Sequence, residues 1–256
     1  MKEILSTKND FIKKLKKLHK RKGREEAQQY LLEGFHLVEE AVAFSAELTC
    51  ILYDDRGRRE WGPWLDQQEP ERLIFVSGEV MKSLSQLPTP QGIVGVVNMA
   101  ASHEIDSFRG HWLALDQVQD PGNVGTMIRT ADAAGYSGVI VGEGSADIYS
   151  AKVLRAMQGS HFHLPIIRRS LEEVIPVFLE AGVSVLGTQL DAQALHYTDL
   201  KPAAETCLLM GNEGSGVRPE LLERATQNVY IPIRGKAESL NVAVAAGILM
   251  YHLTNQ

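Results

Sequence analysis

Apolar positions along this chain follow two rhythms, and the rhythm changes near residue 100. Before that point short apolar runs stand among charged stretches. Tyr30-Leu31-Leu32-Glu33-Gly34 reads as extended, and Leu48 to Tyr53, Leu73 to Val76 and Ile93 to Val97 read as short buried strands. Residues 8 to 22 set Phe11, Ile12, Leu15 and Leu18 on one side of a predicted helix and lysines elsewhere, and His36 to about Phe44 turns Leu37, Val38, Ala41 and Val42 inward. Between the strands, the stretch Asp54 to Pro70 is charged and broken by Gly57, Gly62 and Pro63.

Residues 100 to 110 are polar and lack periodicity, which marks them as a boundary between a first domain over 1–100 and a second over 111–256, with 101–110 as linker. Beyond it strands and helices alternate: His111 to Gln117, a helix from about Asn123 to Ala134 closed by Gly135, strand Gly138 to Val141, helix Ile148 to Gln158 and strand Pro165 to Ile167. Helix Leu171 to Ala181, strands Val183 to Gly187 and Thr206 to Met210, helix Pro219 to Ala225, strand Val229 to Ile233 and a last helix complete the series. Strands that are apolar throughout, set between helices, imply an α/β domain built on a parallel sheet covered on both faces. The last helix sets Val242, Ala245, Ala246, Leu249, Met250 and Leu253 at near-helical spacing, a wide stripe that must be buried. Ser239 and Asn241 stand where it begins.

Composition changes this picture little. The chain has 256 residues, 44% hydrophobic and 23% charged, as in a soluble globular protein. No apolar run reaches the ~20 residues of a membrane helix, and the lysine-rich start lacks the apolar core of a secretory signal, so a cytoplasmic protein without membrane contact is expected. Cys50 and Cys207 lie far apart among apolar neighbours and fit reduced thiols. Charge changes the picture more. The net charge is −6, yet residues 1 to 24 hold ten Lys/Arg against Glu3 and Asp10 and so carry +8, leaving −14 on the rest. A compact cationic segment on an acidic body suits phosphate, since each neutralised phosphate releases counterions. Lys13, Lys14, Lys16, Lys17, Lys20, Arg21 and Lys22 are the candidate phosphate contacts; a solvated helix is the plain alternative.

In parallel sheets ligands bind outside the carboxyl ends of the strands, which singles out three loops. The first runs from Asp116 through Asp120-Pro121-Gly122-Asn123 to Gly125 and leads into a helix with Arg129 and Thr130. Asn123 stands where a helix cap or a ligand amide belongs, and Arg129, six residues on, lies about 240° further round, so the two share a site only if Asn123 belongs to the loop. Otherwise Asn123 caps the helix and Arg129 pairs with Asp132 or Asp120. The second loop, Gly211-Asn212-Glu213-Gly214-Ser215-Gly216, lets backbone approach a ligand or is only a tight turn; its glycines lack dinucleotide spacing. The third is Ile231-Pro232 followed by Ser239-Leu240-Asn241-Val242. His161 and His163 alternate as in a strand but have no Cys or acid at metal spacing, so no metal is expected.

Together the three loops resemble the signature set of the SpoU/TrmH branch of the SPOUT RNA methyltransferases. Asp116, Asp120, Pro121, Asn123, Gly125, Arg129, Thr130 and Ala131 match its first motif; Gly211, Glu213, Gly214 and Gly216 its second; Ile231, Pro232, Ser239, Leu240, Asn241 and Val242 its third. Ser145-Ala146-Asp147 with Lys152, Arg155 and Gly159 fits the intervening segment; the departures are Ser150, where a proline is common, and, near the end of the chain, His252 after Tyr251, where an acid is usual. Residues 28 to 97 resemble, less specifically, the family's N-terminal substrate-binding domain. The resemblance implies a trefoil-knotted C-terminal domain, a homodimer, and S-adenosylmethionine as cofactor near Thr188, Gly211, Ile231 and Leu240. It also implies methylation of a ribose 2′-hydroxyl, in rRNA before tRNA, with Asn123, Arg129, Glu213, Ser239 and Asn241 at the reacting centre. An RNA-binding module without catalysis is the alternative, and it gives no reason for those five residues to occur together. A dinucleotide oxidoreductase lacks its glycine fingerprint.

Overall fold

The computed structural model describes residues 2–99, 108–190, 193–200 and 203–254. The chain divides into two compact units, Met1–Ala101 with Tyr149–Phe162, and Ser102–Ile148 with His163–Gln256. The first contains β1 (Lys2–Ile4), α1 (Asp10–Lys17), α2 (Arg21–Ala27), β2 (Gln29–Glu33), α3 (Phe35–Ala43), β3 (Leu48–Tyr53), α4 (Asp55–Leu65), β4 (Leu73–Val76), α5 (Gly78–Leu84) and β5 (Ile93–Asn98). Its sheet has the order β1-β4-β3-β5-β2, with β5 antiparallel to β3 and β2 and the other pairs parallel. Ile12, Leu15 and Leu18 pack with Ile4, Leu52, Ile74, Val80 and Val94 in one buried cluster.

One expectation for this unit is corrected. The helix expected over 8 to 22 is two helices. The amides of Leu18, His19 and Lys20 turn back to carbonyls only three residues earlier, and Lys20 is extended at φ −100° and ψ 140°. Buried Arg24 donates to the Leu18 carbonyl at 2.7 Å, and a Cβ on Gly23 would stand 2.1 Å from the Lys17 carbonyl, so the second helix folds back tightly on the end of the first. The charged stretch after Tyr53 forms α4. Asp54 accepts from the Gly57 amide at 3.0 Å and caps α4, and Gly57 lets the helix lie against the Gly92 carbonyl, where a Cβ would come within 2.1 Å. The helix kinks at Trp61, two residues before Pro63.

The second unit begins with β6 (His111–Leu115), α6 (Pro121–Ala133) and β7 (Gly138–Val141); after α7 (Ala151–Met157), which belongs to the first unit, come β8 (Ile166–Arg168), α8 (Leu171–Glu180), β9 (Ser184–Thr188), β10 (Leu195–His196), β11 (Thr206–Met210), α9 (Pro219–Leu222), β12 (Gln227–Tyr230) and α10 (Val242–Thr254). Every pairing in its sheet, ordered β10-β12-β9-β11-β6-β7-β8, is parallel, as the continuous apolar runs predict. Trp112, Ile140, Phe178, Val185, Cys207 and Leu209 lie in its core, and both cysteines are buried free thiols.

The expected linker falls mostly on residues 100–107, which lie outside the described residues. Tyr149–Phe162 sides with the first unit because α7 packs on β2, with the Tyr30 and Tyr149 rings 4.7 Å apart and the Tyr30 hydroxyl 3.1 Å from Nε2 of His161. His161 sits in a 3-10 turn, Ser160–Phe162, and not in a strand. Ser150, where a proline is common, caps α7 through its hydroxyl. Among the described residues no helix is long and apolar enough to cross a membrane, and no three His, Cys, Asp or Glu side chains cluster to hold a metal.

Candidate active site

β6 and β11 are neighbours in the sheet although four strands separate them in sequence, so the chain reverses its direction of growth between them. The loops after these two strands open at that switch point, where sheets of this class bind ligands.

The two loops hold each other through reciprocal carboxylates. Asp116, the first residue after β6, is fully buried and accepts from the backbone N–H and the Nε of Arg218, both at 2.8 Å. Arg218 also pairs with Glu172, whose carboxyl its own backbone N–H, the Ser170 hydroxyl and the Arg218 guanidinium hold at about 2. In the opposite direction Glu213, in the loop after β11, accepts from the Asp120 N–H and the Asn123 side-chain amide at 3.0 Å through Oε1, and from the Gln119 N–H at 3.2 Å through Oε2. Burial opposes ionisation of Glu213, but these donors outweigh it and keep the carboxyl below its ordinary range. Asn212 adds a third tie, from its amide to the Gln117 carbonyl at 2.9 Å. Gly211 is obligatory here, because a Cβ would lie 2.1 Å from both the Gly216 carbonyl carbon and the Val217 nitrogen.

The third loop joins through Asn241. Its Oδ1 accepts from the amides of Ala243 and Val244 at 2.9 and 3.3 Å and so caps α10, while its Nδ2 donates to Oδ1 of Asn123 at 3.0 Å. Asn123 is itself no cap. It is the third residue of α6 and not part of the loop, so the condition for sharing a site with Arg129 by helical position is not met, and Asp120 caps that helix by accepting the Asn123 N–H at 3.0 Å. Asn241, Asn123 and Glu213 thus form one hydrogen-bonded chain across all three loops.

Beside this chain lies a cavity of about 700 Å³. Thr188, Gly211, Ile231, Ser239 and Leu240 all line it, as do Glu213 and Asn241. The Thr188 hydroxyl is anchored on the Leu209 carbonyl at 2.8 Å. Val242 and Ala245, expected in the buried stripe of the last helix, are only half-buried because they line this cavity; Ala243 takes the buried position. Arg129 and Asn123 do not line it. Arg129 is exposed on α6 and makes no hydrogen bond or ion pair among the described residues; Asp132, its possible partner, pairs with His163 Nδ1 at 2.7 Å.

The sequence profile of the SpoU rRNA methylase family matches residues 110–251. The chain belongs to the SpoU rRNA methylase family. Residues 9–95 match a second profile, the MRM3-like substrate binding domain. The 23S rRNA (guanosine(2553)-2′-O)-methyltransferase RlmP of Bacillus subtilis is 43% identical over 253 residues, 99% of either chain. Among solved structures, the AdoMet-bound rRNA methyltransferase from Sinorhizobium meliloti is 33% identical with a TM-score of 0.88, over 99% of this chain and 97% of that one. The SpoU methyltransferase AviRb from Streptomyces viridochromogenes in complex with AdoMet is 29% identical with a TM-score of 0.86, over 97% and 98%.

In this SpoU methylase the reading of the sequence missed Arg218 and Glu172, which come from two further segments. The one available signal was Asp116 itself, a charge directly after an apolar strand, which cannot be buried without a partner. The candidate RNA-binding cations lie on two helices: Lys13, Lys14, Lys16 and Lys17 on α1, Lys20 at the turn, Arg21 and Lys22 on α2. Lys13 pairs with Asp10 at 2.8 Å, Arg21 with Glu25 at 2.6 Å and Lys22 with Glu26 at 3.8 Å. Lys14, Lys17 and Lys20 are exposed and make no hydrogen bond or ion pair among the described residues.

Proposed function

We propose that this SpoU methylase transfers a methyl group from S-adenosylmethionine to a ribose 2′-hydroxyl of 23S rRNA, on a guanosine. The observation that carries this is the cavity outside the carboxyl ends of β9, β11 and β12, lined by the second and third loops, in a chain 43% identical over its length to a relative named for that reaction.

The residues present fit the cofactor. A cavity of about 700 Å³ falls within the roughly 300–1,000 Å³ of small-molecule sites. Met210, Ile231, Leu240 and Leu249 offer it apolar wall, and Thr188 and the backbone around Gly211 offer polar edges. Those residues hold the cofactor, which when bound supplies a methyl group on a sulfonium. The chain itself must bring the 2′-hydroxyl into line and ease loss of its proton. Arg129 grips the ribose and its phosphate. A guanidinium with a reference pKa above ~12 clamps phosphate in two-pronged fashion and makes a poor base. Glu213 is no base either, since it is held ionised and both its oxygens are occupied. It positions the loops, and Asn123, Asn241 and Ser239 orient the hydroxyl and the loop that closes the cavity.

The first unit is the RNA-binding domain, and the cationic segment over α1 and α2 supplies affinity for phosphate. A homodimer forms through α10, whose exposed Val244, Ile248 and Tyr251 recur at helical spacing. The C-terminal segment is knotted, no metal takes part, and the protein works in the cytoplasm. Mapping 2′-O-methyl groups in 23S rRNA from cells with and without the gene tests the function. Loss of one guanosine methyl group is expected, and an unchanged map contradicts it.

A further inference from the structure

The cavity walls are unusual in charge. Among the described residues that line it there are two carboxylates, Glu213 and Glu238, and no Lys, Arg or His. Both oxygens of Glu213 are already engaged by the Asn123 amide and the backbone donors of Gln119 and Asp120. Glu238 is different. It stands in the loop between β12 and α10, directly before Ser239, is exposed at the cavity wall, and makes no hydrogen bond or ion pair among the described residues. The basic residues of the same loop, Arg234 and Lys236, are exposed and do not line the cavity.

We propose that Glu238 is the residue that discriminates the positively charged methyl donor from the neutral thioether product. The inference rests on the cavity being the S-adenosylmethionine site. S-adenosylmethionine carries one more positive charge than S-adenosylhomocysteine, and the two differ otherwise by a single methyl group, so shape alone separates them poorly. An unpaired carboxylate on the wall of a cavity without cations attracts the sulfonium and gives the thioether nothing comparable. After transfer the attraction is gone, which favours product release. For a partly solvated pair such an interaction corresponds to about a threefold to fivefold difference in affinity.

Calorimetry on the full-length protein and on Glu238→Gln, with three ligands, tests this. The ligands are S-adenosylmethionine, S-adenosylhomocysteine, and sinefungin, which bears a protonated amine where the sulfonium methyl would be. The substitution should weaken S-adenosylmethionine and sinefungin by about threefold to fivefold and leave S-adenosylhomocysteine within about twofold. High salt should shrink the difference in the wild type. An equal loss for all three ligands would show that Glu238 only shapes the loop, and no change for any would show that it plays no part; either result overturns the proposal. If the wild type binds none of the three, the cavity is not the cofactor site and the reading beneath the proposal fails instead.

Discussion

The two units of this chain deploy their charged residues in opposite ways. In the second, Asp116, Glu213, Arg218 and Glu172 are each held by two or more hydrogen bonds or ion pairs and tie the loop after β6 to the loop after β11, which lines the cavity. In the first, Lys14, Lys17 and Lys20 project from α1 and the turn after it without any such partner. Saturated charges build geometry, because their removal leaves several hydrogen-bond donors or acceptors without a partner; unsaturated ones on the surface cost the fold little and are available to a ligand. Arg129 belongs with the lysines by this measure although it sits in the second unit. The difference separates groups that position from groups that make contact.

Breaking the saturated set should hurt stability most. Asp116→Ala removes the partner of two Arg218 donors from a fully buried position, and by analogy with other broken buried pairs it should cost about 3 kcal/mol or more in denaturant unfolding followed through the second unit. A cost below about 1 kcal/mol would place Asp116 among the dispensable charges. Glu213→Gln should cost less, about 1 kcal/mol or under, because Glu213 is exposed to solvent and the amide keeps one acceptor. The carboxyl of Glu213 is held below its ordinary range, so its contribution is complete above the unfolded value of roughly 4.3 and fades as pH falls through the lower folded value. The acid limb of the stability profile should therefore flatten in Glu213→Gln, and an unaltered limb would mean that the loop ties do not depend on the charge.

Gly211→Ala probes geometry without charge. Its Cβ would meet backbone at 2.1 Å, so the loop after β11 must shift, and binding of S-adenosylmethionine should fall by more than about tenfold. Retained affinity would show that the loop does not shape the cavity's function. The smallest effect is expected from the unsaturated lysines. Lys14, Lys17 and Lys20 changed together to Gln should leave the melting temperature within about 2 °C and lower the slope of log affinity for RNA against log salt by roughly 2–3. Removing the whole segment is a poorer test, since Ile4, Ile12, Leu15 and Leu18 are core residues and the fold would go with them.

How much of this was legible beforehand follows from where the information lies. Strands that are apolar throughout declared themselves, and Leu48–Tyr53, Leu73–Val76, Gly138–Val141 and Thr206–Met210 end where the apolar runs do. Helix α4 was hidden because Gly57 and Pro63 look like breakers, whereas Gly57 is required by the close approach of Gly92 and Pro63 is accommodated by the kink at Trp61. The break at 18–20 was hidden because it depends on Arg24 reaching back to Leu18, a contact no periodicity encodes. The three loops were readable as motifs, but their ties were not. Asp116 to Arg218 spans 102 residues and Asn241 to Asn123 spans 118, and Glu172 belongs to none of the motifs.

An unpartnered arginine beside a saturated scaffold performs contact and not construction. Arg129→Ala, assayed with a 23S rRNA fragment that holds the mapped nucleotide and titrated in parallel with S-adenosylmethionine by calorimetry, decides this. Methyl transfer is expected to be abolished while the cofactor binds within about twofold of wild type and the melting temperature stays within about 1 °C. Methyl transfer that persists at the wild-type rate would contradict the role given to Arg129 and, with it, the division between positioning and contacting charges.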